Sequence, residues 1–127
     1  MLFMFFKFIM VALGGSIGAA SRYGVSLFAN QLFGAGFPFG TLIVNLTGCF
    51  LIGLSFSLAE QKLISPDFRL FFVTGFLGAL TTFSTYSVES VIALRDGMHI
   101  TALSNFAVNN IAGWGLVILG LWLGKLI

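Results

Sequence analysis

The sequence predicts an all-α membrane protein that crosses the bilayer four times, and three observations predict it. The first is composition: 58% of residues are hydrophobic and 8% charged, with a mean hydropathy of +1.07, against about 25% charged residues in soluble globular domains. The second is spacing. The few charges divide the 127 residues into four uncharged intervals, each near the roughly 20 apolar residues that cross hydrocarbon as a helix. The third is a dense hydroxyl run inside one interval, Gly75-Phe-Leu-Gly-Ala-Leu-Thr-Thr-Phe-Ser-Thr-Tyr-Ser-Val-Glu89. Hydrocarbon tolerates such groups only where they face protein or a polar pathway, so this segment reads as the wall of a conduction path.

One four-helix domain accounts for the chain, with spans near 3–28, 38–60, 69–94 and 99–125. The first begins in the phenylalanine run at Phe3 and reaches Arg22 or beyond, with Lys7 near enough to its end to snorkel towards headgroups. A basic leader and a small-residue cleavage site are both missing there, so the segment reads as a retained span. Gly34-Ala-Gly-Phe-Pro38 is a turn-forming cluster before the second span, and Pro38 suits a first helical turn. The third interval is long enough to span, but Gly75, Gly78 and the β-branched pair Thr81-Thr82 make it a poor continuous helix. Arg95-Asp-Gly-Met-His99 supplies a short turn before the fourth span, which Lys125 closes.

Four spans put both termini on one side, together with Lys7, Lys62, Arg69 and Lys125, while the other side has Arg22 and Arg95. The positive-inside rule then places the N-terminus in the cytoplasm by a small margin. A bias this weak is also compatible with insertion in both orientations and hence with an antiparallel homodimer. Gly14-x-x-x-Gly18 and Gly120-x-x-x-Gly124 have the spacing that lets helix backbones approach closely, within one subunit or between two. Four short helices can hardly surround a polar path alone, which makes a dimer the economical assembly.

Several function classes have little support. Cys49 is the only cysteine, so no intramolecular disulfide exists and the residue reads as a small packed hydrophobe. His99 has no second histidine or cysteine as co-ligand and reads as a solvated turn residue. A nucleophile-base pairing would have to be built on that one histidine, so no enzyme is expected. Six scattered positive charges form no nucleic-acid-binding patch.

What remains is a set of polar side chains within the spans: Asn45 and Thr47 in the second, Thr81 to Ser87 in the third, Asn105, Asn109 and Asn110 in the fourth. Asn105 and Asn109 stand one turn apart, and Phe83 and Tyr86 form an i, i+3 pair that can share a face. Hydroxyls and amides flanking two stacked rings would replace part of an anion's hydration shell, and ring edges carry partial positive charge. Asn, Ser and Thr also join membrane helices to one another, and for each residue taken singly that account stands beside the pore. Five serine and threonine hydroxyls between Thr81 and Ser87 exceed what one helix interface needs, which favours a pathway.

Three ordered motifs on three consecutive spans, Gly14-Gly-Ser-Ile-Gly-Ala-Ala-Ser-Arg-Tyr23, Gly40-Thr-Leu-Ile-Val-Asn-Leu-Thr-Gly48 and the 75–89 run, resemble the Fluc-type fluoride channels, the CrcB family. The resemblance covers the chain from about Leu13 to the end of the fourth span. It implies a third helix broken near its middle, a dual-topology antiparallel homodimer, and passive fluoride export through two pores across the bacterial cytoplasmic membrane. It also implies a sodium ion at the dimer centre, held by backbone carbonyls that match Gly78 and Thr81 here. Matched residue by residue, Phe83 is the first pore phenylalanine, Ser84 and Thr85 the hydroxyl track, Asn45 the pore asparagine and Glu89 the acid at the end of the track. Arg22 matches a vestibule arginine, for which snorkelling to headgroups is the competing account. Asn105 and Asn109 fall where the fourth helix lends polar groups to the pore. Glu89 either hydrogen-bonds the track hydroxyls or sits in an interface.

Two residues depart from that pattern. Tyr86 stands at the second pore phenylalanine, adding a hydroxyl, and Thr101 stands where relatives carry an aromatic. Some family members work as two different chains, so a subunit of a heterodimeric fluoride channel is an alternative. Another is a dual-topology small multidrug-type proton-coupled exporter, which needs a titratable acid in its first helix; residues Phe8 to Ser21 contain none. A purely structural subunit would have no use for the hydroxyl run.

Overall fold

A computed structural model describes all residues of the chain, 1–127. Four helical segments are long and apolar enough to cross a membrane: Leu2–Phe33, Phe39–Glu60, Pro66–Arg95 and His99–Gly124. The chain is a multi-pass membrane protein. We name α1 (Leu2–Phe33), α2 (Phe39–Glu60), the two halves of the third crossing α3 (66–80) and α4 (Phe83–Arg95), and α5 (His99–Gly124).

The span limits agree with the expected ones except where a local signal moves them. α1 runs past position 28 to Phe33 and stops at Gly34, whose positive φ of 73° suits only glycine. Its N–H donates back to the Asn30 carbonyl at 3.0 Å. α3 starts earlier than expected, at Pro66, because the Ser65 hydroxyl accepts the Phe68 N–H at 3.1 Å and caps it. The turn from 95 to 98 is present, with Gly97 at φ 78° and the Met98 N–H reaching back to the Ala93 carbonyl at 2.8 Å. His99 is the first residue of α5 and lies on the helix, not in the loop.

Two stretches are wound more widely than an α-helix, as π-turns: Leu70–Leu77 in α3 and Val108–Ala112 in α5. Such turns shift the phase of every side chain beyond them. The decisive irregularity is the gap between α3 and α4, where Thr81 and Thr82 take extended backbone with ψ of 153° and 113°. The third crossing is therefore two helices, as the glycine and threonine content anticipated.

Packing is by backbone approach. A Cβ on Gly14 or Gly18 would collide with the Phe71 or Phe76 carbonyl of α3, so this glycine pair joins α1 to α3 within the subunit. On the far side, a Cβ on Gly53 of α2 would strike the Val117 carbonyl of α5, and one on Gly120 the Phe50 carbonyl of α2. The apolar core is small, with Val44, Leu77 and Leu80 at its centre and Phe72 and Phe76 packed against it. The outward faces carry large hydrophobic side chains, such as Phe8, Phe28, Ile111 and Trp114, as a lipid-facing surface should.

Candidate functional site

The site is built around the gap. In a continuous helix the Thr82 N–H would bond the Gly78 carbonyl; here it donates to Asn45 Oδ1 on α2 at 2.8 Å. Asn45 Nδ2 returns a bond to the Thr82 carbonyl at 3.2 Å and donates to Asn109 Oδ1 on α5 at 3.0 Å. The Thr85 N–H, which would have bonded the Thr81 carbonyl, donates to Thr82 Oγ1 at 3.2 Å and so caps α4. A primary amide has two donors, and both of Asn45's are engaged. Asn45 thus acts as a clamp on exposed backbone, the helix-joining account of this residue, at a position that also faces the cavity described below.

From Asn45 a directed chain of hydrogen bonds crosses the subunit. Asn109 Nδ2 donates to the Asn105 carbonyl and to Asn105 Oδ1, both at 2.9 Å. Asn105 Nδ2 donates to Ser90 Oγ at 3.0 Å, and Ser90 Oγ to the Tyr86 carbonyl at 2.9 Å. The chain ties α2, α5 and α4 together, with every carboxamide nitrogen and oxygen in it partnered, which is what permits polar groups at this depth. Asn105, at 1% exposure, is an internal link of this chain and borders neither of the two cavities described below. Asn105 and Asn109 do share a face, as their spacing required.

Beside the gap lies an open cavity of about 330 Å³, lined among others by Asn45, Thr81, Thr82, Phe83, Tyr86, Asn109 and Asn110. The Phe83 and Tyr86 rings meet edge to face, centroids 5.5 Å apart at 62°, where sequence spacing suggested stacking; the edge-on form is the one favoured by the ring quadrupoles. Phe83 is 79% exposed and Tyr86 7%. A second recess of about 220 Å³ holds Arg22, Tyr23, Ser26, Thr41, Thr82 and Thr85. Arg22 therefore sits beside hydroxyls well before the end of α1, although the sequence left it between vestibule and headgroups. Thr82 borders both spaces. Its Oγ1 donates to Thr85 Oγ1 at 2.9 Å and lies 3.4 Å from Ser84 Oγ, so the hydroxyl run is linked along α4, with Ser84 exposed.

Glu89 is separate from that run. Its Oε1 accepts from Thr41 Oγ1 of α2 at 2.8 Å, while Oε2 is buried with no partner in the subunit. Sequence reasoning did not single out Thr41 or Ser90. Thr41 lies one turn before Asn45 on the same face of α2, a signal that was available. Ser90 carried none.

The gap also frees oxygens. Because Asn45 and Thr82 capture the two N–H groups named above, the Gly78 and Thr81 carbonyls have no backbone donor. Gly78 is exposed and Thr81 partly so. Hard oxygens without donors, at the edge of a subunit, fit a small cation such as sodium.

The sequence profile of the family described as CrcB-like protein, Camphor Resistance (CrcB), matches residues 9–121. The chain belongs to the CrcB family. The match extends from α1 nearly to the end of α5 and so includes the gap, the amide chain and both cavities. Curated CrcB relatives include proteins named fluoride-specific ion channel FluC. Those from Shewanella pealeana and Shewanella halifaxensis are each 52% identical over 101 residues, 80% of this chain and 82% of the relative. That from Shewanella amazonensis is 49% identical over 110 residues, 87% of this chain and 89% of its own.

Proposed function

We propose that this CrcB protein is a fluoride-selective anion channel that lets fluoride leave the cell down its gradient and so lowers fluoride toxicity. The ion passes unchanged, with no bond made or broken. The observation that carries this reading is the cavity at the gap, where two aromatic rings, threonine hydroxyls and carboxamides converge and no fixed charge intrudes. Fluoride is small and strongly hydrated, so a path must replace its water with donors. Uncharged donors and ring edges do that without holding the ion too tightly to leave. The names of the relatives, which are 52% and 49% identical to this chain over the aligned residues, point the same way.

In this reading the Phe83 and Tyr86 edges face the ion, Ser84 and Thr85 form the hydroxyl track, and Arg22 raises the local anion concentration. Asn45, Asn105 and Asn109, whose bonds run to one another and to the backbone, hold the track in place. Glu89 anchors α4 to α2 through Thr41.

The working unit is an antiparallel homodimer, because the exposed Phe83 ring and the Gly78 and Thr81 carbonyls, which have no backbone donor, are left incomplete by one subunit. A bound sodium would supply a fixed positive charge on the dimer axis. The carbonyls of Gly78 and Thr81 from both copies would hold it, and their own freedom from backbone donors is what suits them to that role.

The test is fluoride efflux from liposomes containing the chain alone, under a potassium-valinomycin voltage, with chloride efflux in parallel. Rapid voltage-driven fluoride loss with little chloride loss is expected. Absence of flux from folded, dimeric protein would overturn the homomeric channel, and flux restored by a second homologous chain would establish a heterodimer. Replacing sodium by a large organic cation during purification should lower the dimer's melting midpoint if the carbonyl site is real.

A further inference from the structure

We propose that Asn110 and Tyr86 act as one unit that directs the phenolic proton of Tyr86 into the cavity as a hydrogen-bond donor to the anion. Asn110 Nδ2 donates to the Tyr86 hydroxyl oxygen at 3.0 Å and to the Phe106 carbonyl at 2.8 Å. The second bond fixes the first. A carbonyl only accepts, so the nitrogen end of the amide must face it, and an amide nitrogen cannot accept from the phenol. The phenolic oxygen is therefore the acceptor in its contact with Asn110, and its own proton must go elsewhere. No acceptor within the subunit takes it: the Tyr86 hydroxyl makes no other hydrogen bond.

Both residues line the cavity with Phe83, Thr82 and Asn109, and the Tyr86 side chain is otherwise buried. The ring has little room to swing away, and the bond from Asn110 polarises the hydroxyl towards stronger donation. Asn110 lies in the wide turn Val108–Ala112 directly after Asn109, and both amides border the cavity. The ligand chemistry follows from the group: a single compact donor next to a ring edge suits a small hard anion of high charge density, fluoride in preference to chloride. The inference rests on reading the cavity as an anion path and assigns it a binding step set by a hydroxyl. Asn110 is a positioning residue that acts through Tyr86.

The experiment is fluoride efflux from liposomes as a function of fluoride concentration, for wild type, Tyr86→Phe, Asn110→Leu and the double variant. Tyr86→Phe keeps the ring and removes the donor, and should raise the half-saturating fluoride about ten-fold, the loss of one hydrogen bond to an ion. Asn110→Leu should raise it in the same direction by a smaller factor, about three-fold. The double variant should match Tyr86→Phe alone, because Asn110 has nothing left to orient. Equal effects of Asn110→Leu in both backgrounds, or an unchanged half-saturation in Tyr86→Phe, would overturn the proposal while leaving the channel intact. A wild type without fluoride flux would overturn the channel reading and this inference with it. Should Tyr86→Phe fail to assemble, 3-fluorotyrosine at position 86 decides: a more acidic phenol is a stronger donor and should lower the half-saturating fluoride, and no change or a rise would refute the idea.

Discussion

α2 is joined to its neighbours by two different devices, and the contrast separates what holds the subunit together from what serves an ion. Against α5 it uses glycines: Gly53 lies under the Val117 carbonyl and Gly120 under the Phe50 carbonyl, a dry contact of backbone on backbone. Against the gap in the third crossing it uses Asn45, which grips Thr82 on both sides and continues into Asn109. The first device gains dispersion from close approach and leaves nothing for a ligand. The second satisfies backbone groups that hydrocarbon would leave bare, and it keeps a polar cavity open while doing so. Where polar groups are fully paired among themselves, as in Asn45, they support; where a donor remains free, as in Tyr86, they can act.

Asn45→Leu should break that contrast most severely. It strands the Thr82 N–H and the Asn109 carboxamide oxygen, each at about 1–3 kcal/mol for an unsatisfied buried group. We expect a lower melting midpoint in mild detergent, loss of the proposed dimer by size exclusion, and loss of fluoride flux in whatever protein survives. Asn45→Asp keeps the acceptor for Thr82 and should lie between the variant and wild type. Equal flux in Asn45→Leu and wild type would show that the gap is held by something other than this clamp.

Gly53→Val probes the other device. Its side chain would meet the Val117 carbonyl and the backbone around Leu121, and overpacking of this kind costs about 1–3 kcal/mol. The melting midpoint should fall, but fluoride flux per folded channel should stay near wild type, because no group at the cavity has moved. A drop in flux at constant folded amount would mean that the α2–α5 contact also sets the geometry of the path.

These expectations also mark how far the sequence alone could go. Four uncharged intervals were enough to place the spans, and Gly75, Gly78 and Thr81-Thr82 were enough to expect trouble in the third. Where the released Thr82 N–H goes was not legible, since its acceptor, Asn45, is 37 residues away and nothing in either segment names the other. The wide turns were invisible for another reason: no residue type marks them. The pair Gly14 and Gly18 had the right spacing for close packing, yet only the fold shows that the partner is α3 of the same subunit. The site was therefore legible as an inventory of donors and illegible as a pairing scheme, and the pairing is what distinguishes a clamp from a ligand.

Thr41→Val is a smaller perturbation of the amide side. It removes the one hydrogen bond to Glu89 Oε1 and leaves the carboxyl without any partner in the subunit. A loss of about 1 kcal/mol in stability is expected, with a modest fall in flux because Thr41 also borders the Arg22 recess. Glu89→Gln in the Thr41→Val background should add little, since the contact they share is already gone. If Glu89→Gln alone abolished flux with stability intact, Glu89 would belong to the path itself and its bond to Thr41 would be incidental.

The smallest effect is the sharpest control on the glycine side. Gly115 and Gly120 lie on the same helix, but a side chain at Gly120 meets backbone at once while one at Gly115 meets nothing within 4 Å of the subunit. Alanine is favoured over glycine in a helix by about 0.5–1 kcal/mol, so Gly115→Ala should raise the melting midpoint slightly and leave flux unchanged. Gly120→Ala should do the reverse to stability. If Gly115→Ala proved destabilising, the reason could only be a surface outside this subunit. The face of α5 bearing Gly115 and Trp114 would then lie against the second copy and not against lipid, and the dimer would have to be oriented accordingly.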